Sequence, residues 1–162
     1  MSRRASQLVL LAVIVLAAGC NNDKSTAPST TKFHATLSGA NEAPANSSSG
    51  TGTADVTING NTLTYTVSWS GLSSATFAAH FHSGTATTSG GLVVFPFTNL
   101  GTATSGTTSG TIDLTLANIN PSNASGISGD SLRKLFLAGN IYTNVHSTNF
   151  KGGEIRGQMQ QQ

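Results

Sequence analysis

The chain has 162 residues, a formal net charge of +2 and only 9% charged residues, and its length fits one folded domain. Its 21 serines, 23 threonines and 18 glycines leave little room for the Ala, Glu, Lys and Leu that build helical proteins, which excludes an all-α fold. Low charge combined with many threonine, valine and isoleucine residues favours a pleated sheet over disorder.

The first 20 residues have the order of an export signal. Arg3 and Arg4 precede an apolar stretch, residues 8–18, that is too short to span a bilayer comfortably, and Cys20 follows as the only cysteine. A retained transmembrane anchor is the alternative interpretation. Without the two arginines the chain has six basic and six acidic residues, so it lacks the basic patch that nucleic-acid binding requires.

The segment Leu16-Ala17-Ala18-Gly19-Cys20 resembles a bacterial lipobox, where the signal peptide is cleaved and the cysteine sulfur receives diacylglycerol. Its leucine lies one place before the usual position. A lone cysteine has no intramolecular disulfide partner, and a free thiol is a liability on an exported protein. We therefore predict a signal peptide over residues 1–19, lipidation of Cys20 and a flexible tether over residues 20–31. The expected location is the bacterial cell envelope, outside the cytoplasm, with the membrane as a partner through the lipid anchor.

Strand signals follow one another from residue 32 to residue 160, the predicted folded domain. Apolar and polar residues alternate, and Asn59-Gly60 predicts a tight hairpin between the second and third strands. Pro96 removes a donor from the sheet, so its strand should lie at an edge or carry a bulge. The predicted strands are 33–37, 52–58, 63–69, 76–82, 92–97, 111–116, 141–146 and 154–159.

One short helix is predicted between the sixth and seventh strands. Leu132 and Phe136 lie one turn apart, Asp130 is a candidate N-cap and Gly139 is a stop signal. The glycine, serine and threonine run of residues 101–110 predicts a solvated loop. The expected fold is all-β, an antiparallel Greek-key sandwich or barrel of about 7–8 strands with one short helix.

The segment His80-Phe81-His82 places two histidines on one side of a predicted strand, where both imidazoles can reach one ion. Zinc and copper sites need a third or fourth donor, and His146 on a later strand is the natural third. His34 and Glu154 are further candidates. The alternative is that these histidines are hydrogen-bonded to the backbone or to carboxylates.

Two carboxylates and one arginine form a candidate structural polar site. Glu154 and Arg156 share a strand face by alternation, and Glu42 lies in a loop from which it can pair with Arg156. The sequence contains no nucleophile elbow, phosphate-binding glycine loop or zinc-protease helix motif. We therefore predict that the protein is not an enzyme.

Four segments in order resemble the CHRD domain, a module named after chordin that also occurs in many bacterial exported proteins. They are LSGANEAP at residues 37–44, GL at 71–72 with AHFHSG at 79–84, GNIYTNVHS at 139–147, and GEIRGQ at 153–158. The resemblance implies an immunoglobulin-like or Greek-key barrel with no established enzymatic activity. It also implies that recurring polar residues of the family fall on Glu42, His80, His82, His146, Glu154 and Arg156. The growth-factor partner of chordin does not carry over to a bacterial lipoprotein, because shared fold does not imply shared function.

The function that we predict is a non-catalytic, membrane-anchored binding module for a protein or small ligand that the sequence does not identify. The alternative is a copper- or zinc-binding protein that uses His80, His82 and His146 for metal buffering or for redox chemistry similar to that of superoxide dismutase. A third hypothesis gives these histidines a purely structural role. The sequence alone makes no cofactor certain.

Overall fold

The structure is a computed structural model that describes residues 29–120 and 126–162. The predicted signal peptide, Cys20 and most of the predicted tether lie outside the described residues. Strands are the main regular structure of the described chain. They are β1 Thr30–Ser38, β2 Thr51–Asn59, β3 Thr62–Ser70, β4 Thr76–Ser83, β5 Val93–Pro96, β6 Gly106–Asp113, β7 Ile141–Ser147, β8 Ile155–Gln158 and β9 Gln160–Gln161, with helix α1 at Gly129–Leu137.

The strands form one antiparallel sheet that curls into a half-barrel, in the order β5-β4-β7-β8-β1-β2-β3-β6, with β9 paired to β1. This confirms the predicted all-β, antiparallel fold with one short helix. The β2–β3 hairpin turns at Gly60, whose φ of 54° is the left-handed conformation that a tight hairpin needs. Strand β5, which contains Pro96, lies at one edge of the sheet, as the proline predicted.

Helix α1 packs against the inner face of the sheet. Leu132 and Phe136 are buried, and the Phe136 ring centroid lies 5.1 Å from that of Phe33 and 5.3 Å from that of Phe81. The helix is too short to be stable alone, so this aromatic contact holds it in place. Across residues 29–120 and 126–162, no helix combines the length and the apolar character that crossing a membrane requires.

The predicted N-cap of α1, Asp130, was wrong by two residues. Ser128 caps the helix, because its hydroxyl oxygen accepts a hydrogen bond from the Ser131 N–H. Asp130 lies inside the first turn and forms a surface ion pair with Lys134 at 2.8 Å. Both serine and aspartate cap helices well, so the residue types alone did not distinguish the two positions.

The predicted loop over residues 101–110 was wrong in its second half, because β6 begins at Gly106. Gly106 pairs with Trp69 of β3, and Gly110 pairs with Tyr65. A Cβ atom at Gly106 would lie 2.7 Å from the Trp69 ring, and one at Gly110 would lie 2.6 Å from the Tyr65 hydroxyl. The two glycines leave room for aromatic rings inside a strand, whereas composition alone indicates a loop.

Strand β7 is buried on both faces along its whole length. Ile141 and Val145 pack into the hydrophobic core on the inner face. Tyr142, Asn144 and His146 alternate with them and therefore point outward, where loops cover them. Burial of polar groups is costly unless they find partners, so this outward face is the part of the fold that needs a specific explanation.

Candidate metal centre

The register of three adjacent strands assembles the site. Residues paired across antiparallel strands project to the same face of the sheet. His80 is opposite Asn144, His82 is opposite Tyr142, and Asn144 is opposite Arg156. The outward face of the sheet therefore carries His80 and His82 from β4, Tyr142, Asn144 and His146 from β7, and Arg156 from β8.

The three histidines form a compact cluster. One nitrogen from each of His80, His82 and His146 can be chosen so that all three atoms lie within 4.8 Å of one another. The closest contact joins His80 Nδ1 and His146 Nε2 at 3.1 Å. His82 and His146 are buried, and His80 is half-buried. Three imidazole nitrogens are the type of donor that zinc and copper bind, and small ring rotations would bring the widest pair within the roughly 4.1 Å that two donors on one ion can span.

Backbone carbonyls fix the ring orientation of two of the histidines. The Nδ1–H of His82 donates to the Gly91 carbonyl oxygen at 2.7 Å, and the Nδ1–H of His146 donates to the Lys151 carbonyl oxygen at 2.9 Å. A neutral imidazole carries one N–H, so the lone pair in each ring is on Nε2. His82 Nε2 is buried and has no hydrogen-bond partner. This carbonyl-to-histidine arrangement is typical of the groups that orient metal ligands.

Burial keeps the cluster neutral. It lowers the pKa of His80 from 6.5 to about 4, with the neighbouring His146 and His82 adding to the effect. Burial also lowers the pKa of His82 and of His146. The Gly91 carbonyl and the Asn144 side chain oppose this effect at His82, and the Lys151 carbonyl opposes it at His146. A neutral imidazole has the lone pair that a metal ion binds, so the cluster is in its ligating form at neutral pH.

Arg156 is a buried cation beside the cluster, with an exposed fraction of 2%. Its guanidinium lies 3.4 Å from the centroid of the Tyr142 ring. It donates to the carbonyl oxygens of Thr85 and Thr88, each at 2.7 Å. The Tyr142 ring also stacks on the His82 ring, with centroids 4.8 Å apart and planes 2° apart. Arg156 thus holds the loop after β4 against the face that carries the histidines.

A cleft of about 530 Å³ opens over this face, and its walls include Glu42, His82, Asn144, Lys151 and Arg156. Glu42 Oε1 is buried and has no hydrogen-bond partner. Burial raises the pKa of Glu42 from 4.5 to about 7, while the charge of Arg156 and the Ala43 N–H lower it to a smaller extent. A carboxyl group with this pKa is partly protonated at neutral pH.

Glu154 is also buried, and its Oε1 atom, unlike Oε2, has hydrogen-bond partners from other segments of the chain. Its Oε1 accepts hydrogen bonds from the Ser48 hydroxyl at 2.7 Å and from the Ser73 N–H at 2.6 Å. Burial raises its pKa, but hydrogen bonds from Ser147, Ser48 and Ser73 outweigh that effect and hold the pKa below the ordinary value. Glu154 therefore stays ionised and joins three segments of the chain.

The structure brings together some of the sequence-predicted residues and separates others. His80, His82 and His146 converge, whereas His34 lies elsewhere and bonds to Asp55 at 2.8 Å. Glu154 is not part of the histidine cluster. Over the described ranges, neither Glu42 nor Glu154 forms an ion pair with Arg156. The Arg156 guanidinium donates its two hydrogen bonds to backbone carbonyls instead of to a carboxylate.

Two residues of the site, Asn144 and Tyr142, were not predicted from the sequence. Asn144 Oδ1 lies 3.1 Å from His146 Nε2, and Tyr142 contacts both His82 and Arg156. Alternation along β7 places both residues on the same face as His146, and this pattern could have predicted them from the sequence. The strand register, which sets Asn144 opposite His80, is not readable from one sequence.

Fold and site together define an all-β domain whose outward face buries polar residues. The sequence matches the family model of the CHRD domain over residues 33–159, which is most of the chain. The chain therefore belongs to the CHRD domain family, as the four sequence segments indicated. The same comparisons gave no match among curated proteins and none among solved structures.

Proposed function

We propose that this CHRD protein is a non-catalytic, membrane-anchored binding module of the bacterial cell envelope whose ligand is a copper or zinc ion. The observation that supports the metal is the convergence of His80, His82 and His146 within 4.8 Å. A metal-binding role unites the two predicted functions, because the ion is then the ligand of the binding module.

Three features favour a ligating role over a purely structural one. His82 Nε2 is buried without a partner, which costs about 1–3 kcal/mol unless another group binds it. The rings are oriented from behind by the Gly91 and Lys151 carbonyls, as metal-binding histidines usually are. The imidazoles are neutral at neutral pH, so binding an ion does not require their deprotonation.

Removal of one cluster histidine should weaken metal binding by at least about tenfold, because a three-nitrogen set loses one donor. The test is titration of the purified, chelator-treated protein with Zn²⁺ and with Cu²⁺, followed by elemental analysis after desalting. We expect one ion per chain for the unmodified protein and weaker or no retention for His82→Ala and His146→Ala. His34→Ala is the matched control, because His34 bonds to Asp55 outside the cluster.

A protein that retains neither ion, or a His82→Ala variant that retains the ion as well as the unmodified protein does, contradicts the metal proposal. A purely structural role predicts a different result. In that case His82→Ala lowers the free energy of unfolding equally with and without the ion, and no ion raises the melting temperature.

Membrane anchoring through Cys20 is supported by the cationic start, the short apolar stretch and the lipobox-like ending of residues 1–20. We expect the protein expressed in a bacterium to incorporate labelled palmitate and to sediment with membranes. Cys20→Ala should incorporate no label, because the acyl chains have no sulfur to which they can attach. Ser25→Ala, five residues further on, is the control and should be labelled normally.

Labelling of Cys20→Ala, or an unmodified protein without label, contradicts the lipid anchor. Palmitate incorporation is the deciding measurement, because an uncleaved signal peptide can hold the variant at the membrane without any lipid. The membrane fraction then reports location, and the label reports the chemistry at Cys20.

A further inference from the structure

The ring of His146 has an oxygen atom beside each of its nitrogens. The Lys151 carbonyl oxygen lies 2.9 Å from Nδ1, and Asn144 Oδ1 lies 3.1 Å from Nε2. A neutral imidazole has one N–H and can donate to only one of them. Since the proton is on Nδ1, toward the carbonyl, the lone pairs of Nε2 and Oδ1 face each other. Nε2 can accept from a His80 Nδ1–H at 3.1 Å, but its contact with Oδ1 is still one between two acceptors, and these repel unless a cation lies between them.

The other end of the Asn144 amide faces the Glu42 carboxyl group. Its Nδ2 and the Glu42 Oε1 atom both border the space beside the Gly153 Cα. Rotation of the amide by half a turn would relieve the contact with His146 but would place Oδ1 beside the Glu42 carboxyl oxygen. The amide NH₂ is the better neighbour for the ionised form of the Glu42 carboxyl group, because it can donate and an amide oxygen cannot.

Two of the donor distances match those in one coordination sphere. Two donors on a tetrahedral zinc ion, each about 2.0–2.1 Å from the metal, are roughly 3.3 Å apart. The distance from Asn144 Oδ1 to His146 Nε2 is 3.1 Å, and the distance from His80 Nδ1 to His146 Nε2 is also 3.1 Å. We propose that Asn144 is the fourth protein ligand of this site and binds the metal ion through Oδ1. The inference rests on the proposed metal-binding function and deepens it.

A set of three imidazole nitrogens and one amide oxygen determines which ions the site prefers. Zn²⁺ and Cu²⁺ accept nitrogen and oxygen donors, whereas Cu⁺ prefers the thiolate and thioether sulfur that this set does not offer. The four donors come from two adjacent strands of the sheet, His80 and His82 from β4 and Asn144 and His146 from β7. The strands fix the backbone positions of the set. The imidazole nitrogens spread over up to 4.8 Å, wider than the roughly 4.1 Å that two donors on one zinc ion can span, so ring rotation must close the set around the ion.

The experiment compares Asn144→Leu and Asn144→Asp with the unmodified full chain, using Co²⁺ and Cu²⁺ as spectroscopic probes and Zn²⁺ for affinity. Asn144→Leu removes the oxygen at similar size, so Zn²⁺ affinity should fall roughly tenfold to a hundredfold. The Co²⁺ visible absorption and the Cu²⁺ paramagnetic resonance spectrum should change shape. Asn144→Asp keeps an oxygen at the same position, so it should bind Zn²⁺ at least as tightly as the unmodified protein and shift both spectra.

Asn149→Asp is the matched control for the added charge, because Asn149 is exposed and borders the same cleft. It should leave both spectra unchanged. Spectra and affinity that are the same in Asn144→Leu and Asn144→Asp as in the unmodified protein overturn the assignment of Asn144 while the histidine site stands. If Asn144→Leu does not fold, the Asn144→Asp spectra decide alone. Failure of the unmodified chain to bind any of the three ions overturns the proposed function itself, and the role of Asn144 with it.

Discussion

Arg156→Met should lower the free energy of unfolding by about 3–4 kcal/mol, with a fall in melting temperature on the order of 10 °C. The guanidinium makes two short hydrogen bonds to the Thr85 and Thr88 carbonyl oxygens, and bonds from a charged donor contribute about 1.5–3 kcal/mol each. It also contacts the Tyr142 ring at 3.4 Å, a cation–π contact worth about 2 kcal/mol where water is excluded. Methionine fills much of the volume but provides no donor, so both carbonyls lose their partners.

Urea unfolding of the purified domain measures this effect, and Arg133→Met is the matched control. Arg133 is only half-buried and makes one longer bond, 3.2 Å to Asn61, so its loss should change stability by less than about 0.5 kcal/mol. Arg156→Lys keeps the charge but loses the planar fork, and it should fall between the unmodified protein and Arg156→Met. Equal stabilities for Arg156→Met and Arg133→Met would show that the carbonyl contacts contribute nothing.

The elements that the sequence predicted well are those whose signal is local. The alternation in β3 and the Asn59-Gly60 turn fix a hairpin within about ten residues, and the helical spacing of Leu132 and Phe136 fixes α1. The pairing of His80 with His82 has the same origin, because two residues on one strand share a face whatever surrounds them. These features do not depend on how distant parts of the chain meet.

The elements that were missed depend on distant contacts. The strand character of Gly106 and Gly110 comes from the rings of Trp69 and Tyr65 on a neighbouring strand, more than 35 residues earlier in the chain. The position of Asn144 beside the histidines comes from the β4–β7 register, which one sequence does not contain. Local patterns thus indicated which residues have metal-binding chemistry, whereas the tertiary structure determined which of them meet.

Glu154→Gln should destabilise the domain at pH 8 by about 2–3 kcal/mol, whereas Glu42→Gln should stabilise it by about 1 kcal/mol. Glu154 is fully buried and, as a carboxylate, accepts from Ser48 and the Ser73 N–H, and glutamine replaces that charged acceptor with a neutral amide. Glu42 is in the opposite situation. Its pKa is raised from 4.5 to about 7, so at pH 8 the folded chain holds a partly buried charge that water would solvate better. The expected gain is kept small because solvent screens the exposed part of that carboxyl group.

The pH dependence of the two variants tests the causes separately. The folded-state pKa of Glu42 lies above its unfolded value, so its contribution to stability is present below pH 4.5 and lost as the pH rises to about 7. The advantage of Glu42→Gln should therefore appear between pH 4.5 and 7 and remain constant above that range. The pKa of Glu154 is lowered, so its contribution is present above pH 4.5 and lost in acid, and the defect of Glu154→Gln should shrink below that pH. Melting temperatures of the metal-free protein across this range measure both effects. If the two variants change stability in the same direction at pH 8, the opposite pKa shifts of Glu42 and Glu154 are contradicted.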